Sequence, residues 1–235
     1  MPIAALQEMR ERLIVALDVS SAKAAQALMR QIGDAAVFYK VGLQLFTAEG
    51  PGFVAELARS GRKVFLDLKL HDIPNTVAHA VQSASRLGIS MLTVHASGGA
   101  EMLKAAVEAS GPRLNILAVT VLTSLNDQQL QEIGVAGRTT DQVLRLAALA
   151  QTAGCRGVVA SPQEVRHLRQ AFGGGLVIVS PGIRPAGADK NDQQRIATPR
   201  EAIRAGASHL VVGRPITDAN DPAQAVEAIL AEMTE

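Results

Sequence analysis

The chain has 235 residues, of which 48% are hydrophobic and 19% are charged, a balance typical of a globular protein with a full core. Its formal net charge is only +1, from 23 basic and 22 acidic residues, so no overall field favours nucleic acid or an anionic membrane. The single cysteine, Cys155, excludes a disulfide within the chain, and we expect it to be a small buried apolar filler. No apolar run approaches the roughly 18 residues that span a bilayer. The first residues also lack a secretory pattern, so we expect a cytoplasmic protein.

Eight short apolar segments alternate with amphipathic helical segments along the chain. The predicted strands are residues 12–18, 36–42, 63–70, 91–96, 115–122, 157–161, 176–180 and 209–213. Eight strand–helix units in a chain of this length predict one α/β domain over residues 1–235, a (β/α)8 TIM barrel. The alternative is an open doubly wound sheet, but LDVSSAK stands where that fold usually has a glycine-rich dinucleotide motif.

Charged residues lie near the C-terminal ends of the first three predicted strands, the rim that carries the active site in such barrels. They are Asp18, Lys40, and the pair Asp67 and Lys69. Residues two apart on a strand point to the same side, so Asp67 and Lys69 are expected to lie together. The signs alternate, which lowers the cost of desolvating the set. It can be a structural ion-pair network, or a site in which a lysine donates a proton to a developing carbanion.

Asp72 lies beyond the third strand, just ahead of Pro74, which suits a first helical turn. Thr76 follows Asp72 by four residues, so the two can share a helical face. Asp72 can be an ordinary carboxylate at a helix N-terminus. Alternatively, this short turn overhangs the rim and reaches a neighbouring site.

Two glycine–arginine motifs predict a phosphate site. SPGIRP (180–185) follows the seventh strand and VVGRP (211–215) ends the eighth, where phosphate sites recur in these barrels. Glycine lets the backbone approach a phosphate, and Arg184 and Arg214 add charged donors. Either motif alone also makes an ordinary turn, whereas the pair predicts a phosphorylated ligand. The long polar segment that follows the seventh strand predicts a mobile lid at about residues 182–198.

The five histidines show no convincing metal-ligand spacing, so we expect no metal. His95 lies at the rim without obvious metal partners, and His209 is expected to be structural.

The segment DLKLHDIPNT (67–76) resembles the signature D-x-K-x-x-D-I-x-x-T of the orotidine 5′-phosphate decarboxylase family. Further matches follow in family order over nearly the whole chain: LDV at Asp18, KVG at Lys40, VHASGG at 94–99, VTVLTS at 119–124, PGIRP at 181–185, DQQRIATP at 192–199 and VVGRP at 211–215. The resemblance implies a homodimeric barrel that converts orotidine 5′-phosphate to uridine 5′-phosphate and CO2, with no metal and no organic cofactor.

The resemblance also implies roles for the matching residues. Lys69 would protonate C6 as CO2 leaves, and Asp67 would hold Lys69 beside the substrate carboxylate. Lys40 and Asp18 would bind ribose hydroxyls and extend the charged array. The residues implied to reach into the partner's site are Asp72, which completes the array, with Ile73 and Thr76. Those implied to bind the base and the phosphate are Thr123 or Ser124, Pro181, Arg184, Gly213, Arg214 and, from the lid, Gln193 rather than Gln194.

Two rival interpretations stay open at this point. Related barrels with the D-x-K-x-x-D pattern, 3-keto-gulonate 6-phosphate decarboxylase and hexulose phosphate synthase, use a divalent metal and resemble a glutamate-containing site at the second strand. Lys40 is a poor metal ligand while charged, which argues against them. A non-catalytic sugar-phosphate binder would tend to lose Lys69 or an acidic partner, and both kinds of residue are present.

Overall fold

The computed structural model describes residues 3–185 and 195–234, including side chains from residue 7 onward. Eight parallel strands pair in sequence order, and the first also pairs with the last, so the sheet closes into a barrel. The strands are β1 (Leu13–Ala16), β2 (Phe38–Gly42), β3 (Lys63–Leu70), β4 (Met91–His95), β5 (Asn115–Val119), β6 (Gly157–Val159), β7 (Val177–Ser180) and β8 (His209–Val212). The predicted (β/α)8 TIM barrel is confirmed, and the open sheet is wrong.

Helices connect the strands and cover the outside of the barrel. Within the described ranges they are α1 (Ile3–Arg12), α2 (Ala22–Ile32), α3 (Leu43–Arg59), α4 (Pro74–Ser85), α5 (Gly99–Ser110), α6 (Asp127–Glu132), α7 (Thr139–Thr152), α8 (Val165–Phe172), α9 (Pro199–Ala205), α10 (Arg214–Thr217) and α11 (Pro222–Thr234). Hydrophobic periodicity does not predict α6, α9 and α10, because helices of four to seven residues are too short to show it. In the part of the chain that the structure describes, no helix combines the length and apolar character needed to cross a bilayer.

Two apolar layers hold the barrel together. Alternate strand residues point inward and fill the barrel, among them Ile14, Phe38, Phe65 and Leu117. The intervening residues point outward and pack against the helices in a second, larger layer. Cys155 is buried in that outer layer, where burial raises the pKa of its thiol to about 12, so the expected apolar filler is confirmed.

Five of the strands, β1, β4, β5, β6 and β8, end one to three residues earlier than predicted. The apolar run at 115–122 shows why, because only residues 115–119 pair as a strand. Val121 and Leu122 lie beyond the last pair and line a cavity at the rim instead. Apolar character therefore marks both the strand and the wall of the site above it.

His209 gives the fold a pH-dependent stability. Burial, then the charges of Arg12 and Lys63, lower the pKa of its imidazole to about 4, and its ring packs edge-on against Phe38 with centroids 6.0 Å apart. The unfolded chain takes up this proton near pH 6.5, whereas the folded chain takes it up only near pH 4. Folding stability is therefore lost as the pH falls through this window, by about 2 kcal/mol between pH 7 and pH 5. We expect urea unfolding to show a smaller loss over that interval for His209→Gln, and an unchanged loss for the exposed control His167→Gln.

Candidate active site

A cavity of about 450 Å³ opens at the C-terminal ends of the strands. Its apolar wall includes Phe65, Val119 and Val159, so the face of a bound molecule that packs against this wall would be shielded from water. Nine of the residues predicted for the site line this one cavity: Asp18, Lys40, Asp67, Lys69, Thr123, Pro181, Arg184, Gly213 and Arg214. These nine residues come from six of the eight strand ends, which therefore meet in one place.

The four charged residues predicted from the first three strands form a continuous array. The Lys40 ammonium lies 2.9 Å from an Asp18 carboxylate oxygen and 3.8 Å from Oδ2 of Asp67. The Lys69 ammonium lies 2.8 Å from the same Asp67 oxygen. Lys40 is buried, and pairing with two carboxylates compensates for part of its desolvation. The predicted alternation of charge is thus present in space as well as in sequence.

The backbone that carries Lys69 differs from the regular strand used to predict it. Leu66 pairs with Leu92 and Leu70 with Val94, so residues 67–69 of β3 lie opposite the single residue Thr93 of β4. Lys69 has a φ of 52°, and among the described residues it is the sole non-glycine with positive φ. Asp67 and Lys69 do meet, but through a bulge and a left-handed residue rather than through simple alternation. Such bulges often re-aim a side chain next to an active site.

The electrostatics of the array favour an ionised Asp67. Burial raises the pKa of the Asp67 carboxyl, but the charges of Lys40 and Lys69 and the hydrogen bonds from Lys69 and Thr93 outweigh it. The net result is a pKa below the ordinary value, so Asp67 is an anion at neutral pH. This anion lies 2.8 Å from the Lys69 ammonium and holds it at the cavity.

Arg184 and Arg214 line the same cavity from the connections after β7 and β8. Arg184 is buried, and its Nη1 donates to its own neighbour's carbonyl, Ile183 O, at 2.8 Å. The backbone at Gly213 lies close to the charged array, since a β-carbon added there would be 3.6 Å from Oδ2 of Asp18. Two guanidinium groups and a close backbone approach suit a phosphate beside these residues.

Sequence reasoning missed Thr217 and Asp218, which also line the cavity and are joined by a hydrogen bond of 2.9 Å from the Thr217 hydroxyl. They lie at the end of α10, and no strand pattern or family motif in the sequence singles them out.

Three residues implied to act across a dimer lie outside this cavity. Asp72, Ile73 and Thr76 are all exposed, and the side chain of Ile73 is exposed despite being large and apolar. The helix begins only at Pro74, so the prediction that Asp72 and Thr76 share a helical face is wrong. Asp72 instead accepts a hydrogen bond of 2.7 Å from the Ile73 amide ahead of the helix.

The other residues predicted for the site either do not line the cavity or lie outside the described residues. Thr123 lines the cavity, whereas Ser124 is exposed and does not. Gln193 and its alternative Gln194 lie outside the described residues, as does most of the predicted lid at 182–198. The choice between the two glutamines and the lid itself stay predictions.

The rim histidines pair with each other. The rings of His71 and His95 lie 5.4 Å apart, and burial, together with the nearby His71 and Lys69, lowers the pKa of His95. Across residues 3–185 and 195–234, no three metal-binding side chains of the His, Cys, Asp or Glu type form a group that could hold an ion.

A buried ion pair that the sequence did not reveal supports the wall of the cavity. Arg195 Nη1 lies 2.6 Å from Glu164 Oε1, and Arg195 Nη2 donates to the carbonyl of Leu122 at 2.9 Å. Both charged side chains are buried. The pair therefore ties the connections that follow β5, β6 and β7 to one another, next to Thr123 at the cavity.

Removing Glu164 should strongly destabilise the fold, because the charge of Arg195 would stay buried without a carboxylate partner. We expect Glu164→Ala to lower the free energy of unfolding by about 3–5 kcal/mol, measured by urea denaturation. The double variant Glu164→Leu/Arg195→Met should recover most of that loss. Breaking the exposed Glu101–Lys104 pair is the control and should change much less. Equal losses from both pairs would contradict a special role for the buried one.

Comparison with known proteins identifies the family to which the chain belongs. Residues 11–229 match the family model described as "Orotidine 5'-phosphate decarboxylase / HUMPS family". Orotidine 5′-phosphate decarboxylase of Anaeromyxobacter sp. (strain K) is 56% identical over 94% of this chain and 97% of that protein. The corresponding protein of Halorhodospira halophila is 55% identical over 94% of this chain and 95% of its own length. The crystal structure of orotidine 5′-phosphate decarboxylase from Lactobacillus acidophilus gives a TM-score of 0.85 at 41% identity, over 95% of this chain and 99% of that one. The chain therefore belongs to the orotidine 5′-phosphate decarboxylase / HUMPS family.

Proposed function

We propose that this protein decarboxylates orotidine 5′-phosphate to uridine 5′-phosphate and CO2, the last step of de novo UMP synthesis. The names of its full-length relatives support this substrate. The cavity supports it independently, because it combines an apolar wall, a charged array and two arginines in a volume suited to a small ligand.

We propose one orientation for the substrate in the cavity. Arg184 and Arg214 would bind the phosphate, with the backbone at Gly213 and Pro181 close by. The pyrimidine would lie against the apolar wall with its edge at Thr123, and the ribose hydroxyls would face Asp18 and Lys40. This orientation directs C6 and its carboxylate towards Asp67 and Lys69.

The chemistry needs charge stabilisation rather than a delocalising cofactor. Breaking the bond between C6 and the carboxylate releases CO2 and leaves an electron pair on C6. The Lys69 ammonium is aimed by Asp67 at 2.8 Å, stabilises that developing charge and then transfers its proton to C6. The neutral Lys69 amine recovers a proton from solvent. Phosphate binding far from the reacting bond contributes binding energy to the same transition state.

One observation carries the choice between this reaction and the metal-dependent sugar-phosphate reactions of related barrels. The Lys40 ammonium lies between Asp18 and Asp67, at 2.9 Å and 3.8 Å. These carboxylates are thus bridged by a protein cation at the position where a divalent ion would compete for them. We propose that the enzyme works without metal or organic cofactor.

We further propose that two copies of the chain complete each other's sites. The exposed Asp72, Ile73 and Thr76 follow β3 at the same rim as the cavity, yet do not line it. In a homodimer, Asp72 would extend the partner's charged array and Thr76 would contact its ribose. The side chain of Ile73, two-thirds accessible in the isolated chain, would be buried at such an interface.

Product analysis tests the substrate. The purified protein is incubated with orotidine 5′-phosphate, and we expect equal amounts of uridine 5′-phosphate and CO2. Parallel incubations with 3-keto-gulonate 6-phosphate and Mg²⁺ should give no decarboxylation. Turnover of the sugar phosphate alone would overturn the proposed function.

A further inference from the structure

Thr93 of β4 forms hydrogen bonds with both Lys69 and Asp67, the residues proposed to carry out the proton transfer. Its hydroxyl oxygen accepts a hydrogen bond from the backbone amide of Lys69 at 2.9 Å. The same hydroxyl donates to Oδ1 of Asp67, also at 2.9 Å. Thr93 is fully buried and does not line the cavity, so it acts through these two residues rather than on a ligand.

The directions of these bonds follow from the chemistry of the groups. An amide N–H can only donate, so the Thr93 oxygen must accept from Lys69. The single hydroxyl proton is then left for the Asp67 anion, which can only accept. Oδ1 of Asp67 is held by Thr93, while Oδ2 is held by the Lys69 ammonium at 2.8 Å. Both carboxylate oxygens are therefore fixed, and so is the plane of the group.

The backbone at Lys69 needs such a support. Residues 67–69 bulge opposite Thr93, and the φ of 52° at Lys69 is unfavourable for a residue with a β-carbon. A partly buried amide at a bulge would add a further cost if it lacked an acceptor. The Thr93 hydroxyl supplies that acceptor and stabilises the left-handed conformation that turns the lysine towards Asp67.

We propose that Thr93 is a positioning residue, whose hydroxyl sets the Lys69 backbone and the Asp67 carboxylate in the geometry used for proton transfer. The inference rests on the proposed function for its effect on turnover, but its effect on the geometry of Asp67 is independent of any substrate.

The test compares Thr93→Val, which removes the hydroxyl at similar volume, with Thr93→Ser, which keeps it. We expect Thr93→Val to lower kcat for orotidine 5′-phosphate by about 10- to 100-fold with little change in KM, the usual range for a hydrogen bond to a charged group. Loss of the bond to Asp67 should also move the acid limb of the pH profile to higher pH, since hydrogen bonding to the carboxylate lowers its pKa. Thr93→Ser should restore most of kcat and the original profile.

A second readout separates this inference from the proposed function. Carboxyl ¹³C NMR titration of Asp67 should show a higher pKa in Thr93→Val than in the wild type or in Thr93→Ser. If the wild type fails to decarboxylate the substrate but this shift is seen, the function is wrong and the positioning role holds. An unshifted Asp67 titration, or a serine variant as defective as the valine variant, would overturn the positioning role. Thr93→Ala replaces the valine variant if the latter does not fold.

Discussion

Replacing Lys69 with alanine is expected to lower kcat for orotidine 5′-phosphate by about 10⁴-fold or more. The variant loses both the proton donor and the positive charge nearest the developing carbanion, and each loss costs orders of magnitude. The Lys69 ammonium is held 2.8 Å from Asp67 at the cavity, whereas the Lys40 ammonium lies farther from the same carboxylate oxygen, at 3.8 Å. Steady-state kinetics at saturating substrate measure the effect.

The fold should tolerate this change. Asp67 keeps Lys40 at 3.8 Å and the Thr93 hydroxyl at 2.9 Å, so its charge stays compensated. We expect the circular dichroism spectrum of Lys69→Ala to match the wild type. Lys104→Ala, which removes an exposed lysine on α5, is the matched control and should retain wild-type kcat. A Lys69→Ala protein with full activity would contradict the assignment of the proton donor.

Mixed dimers should recover activity that neither parent shows. Asp72→Ala alone is expected to lower kcat by about 10²- to 10³-fold, because each site loses a charge supplied by its partner. In a hybrid with a Lys69→Ala subunit, the Asp72→Ala subunit keeps its own Lys69 and receives Asp72 from the other chain. One of the two sites of each hybrid dimer is then intact. Half of the dimers in an equal random mixture are hybrids, so the mixture should show about a quarter of wild-type activity.

The control mixture combines Lys69→Ala with Asp67→Asn. Lys69 and Asp67 line the same cavity of one chain, so every hybrid site carries a defect and no activity should return. Two different affinity tags allow the hybrids to be isolated and counted. Isolated hybrids of Lys69→Ala and Asp72→Ala that stay inactive would contradict the shared site.

The barrel is predictable because its signal is repeated. Eight apolar strands separated by helical segments leave few alternatives, and the closed strand order follows. The C-terminal bounds of strands such as β5 are less predictable, because Val121 and Leu122 are as apolar as the paired residues before them. The strand ends where its residues begin to line the cavity, and the position of the cavity depends on the folded barrel.

The site was predictable where charge stands out against an apolar strand, as at Lys40, Asp67 and Lys69. The sequence did not reveal that Lys69 lies in a left-handed bulge, since VFLDLKL contains no glycine to mark one. The roles of Thr93 and of the Glu164–Arg195 pair could not be predicted from the sequence for a related reason. Their importance depends on contacts between residues 24 to 31 positions apart, which no local pattern reports.

Decarboxylation of orotidine 5′-phosphate in the presence of a chelator tests the central claim most directly. Loss of the orotate ultraviolet band follows the reaction, and the background is small because the chain has no tryptophan and one tyrosine. We predict rapid loss of the band, with uridine 5′-phosphate as product and no acceleration on adding Mg²⁺. A folded protein that leaves the band unchanged, or that turns over only when Mg²⁺ is restored, would contradict a metal-free decarboxylase built on the Asp–Lys array.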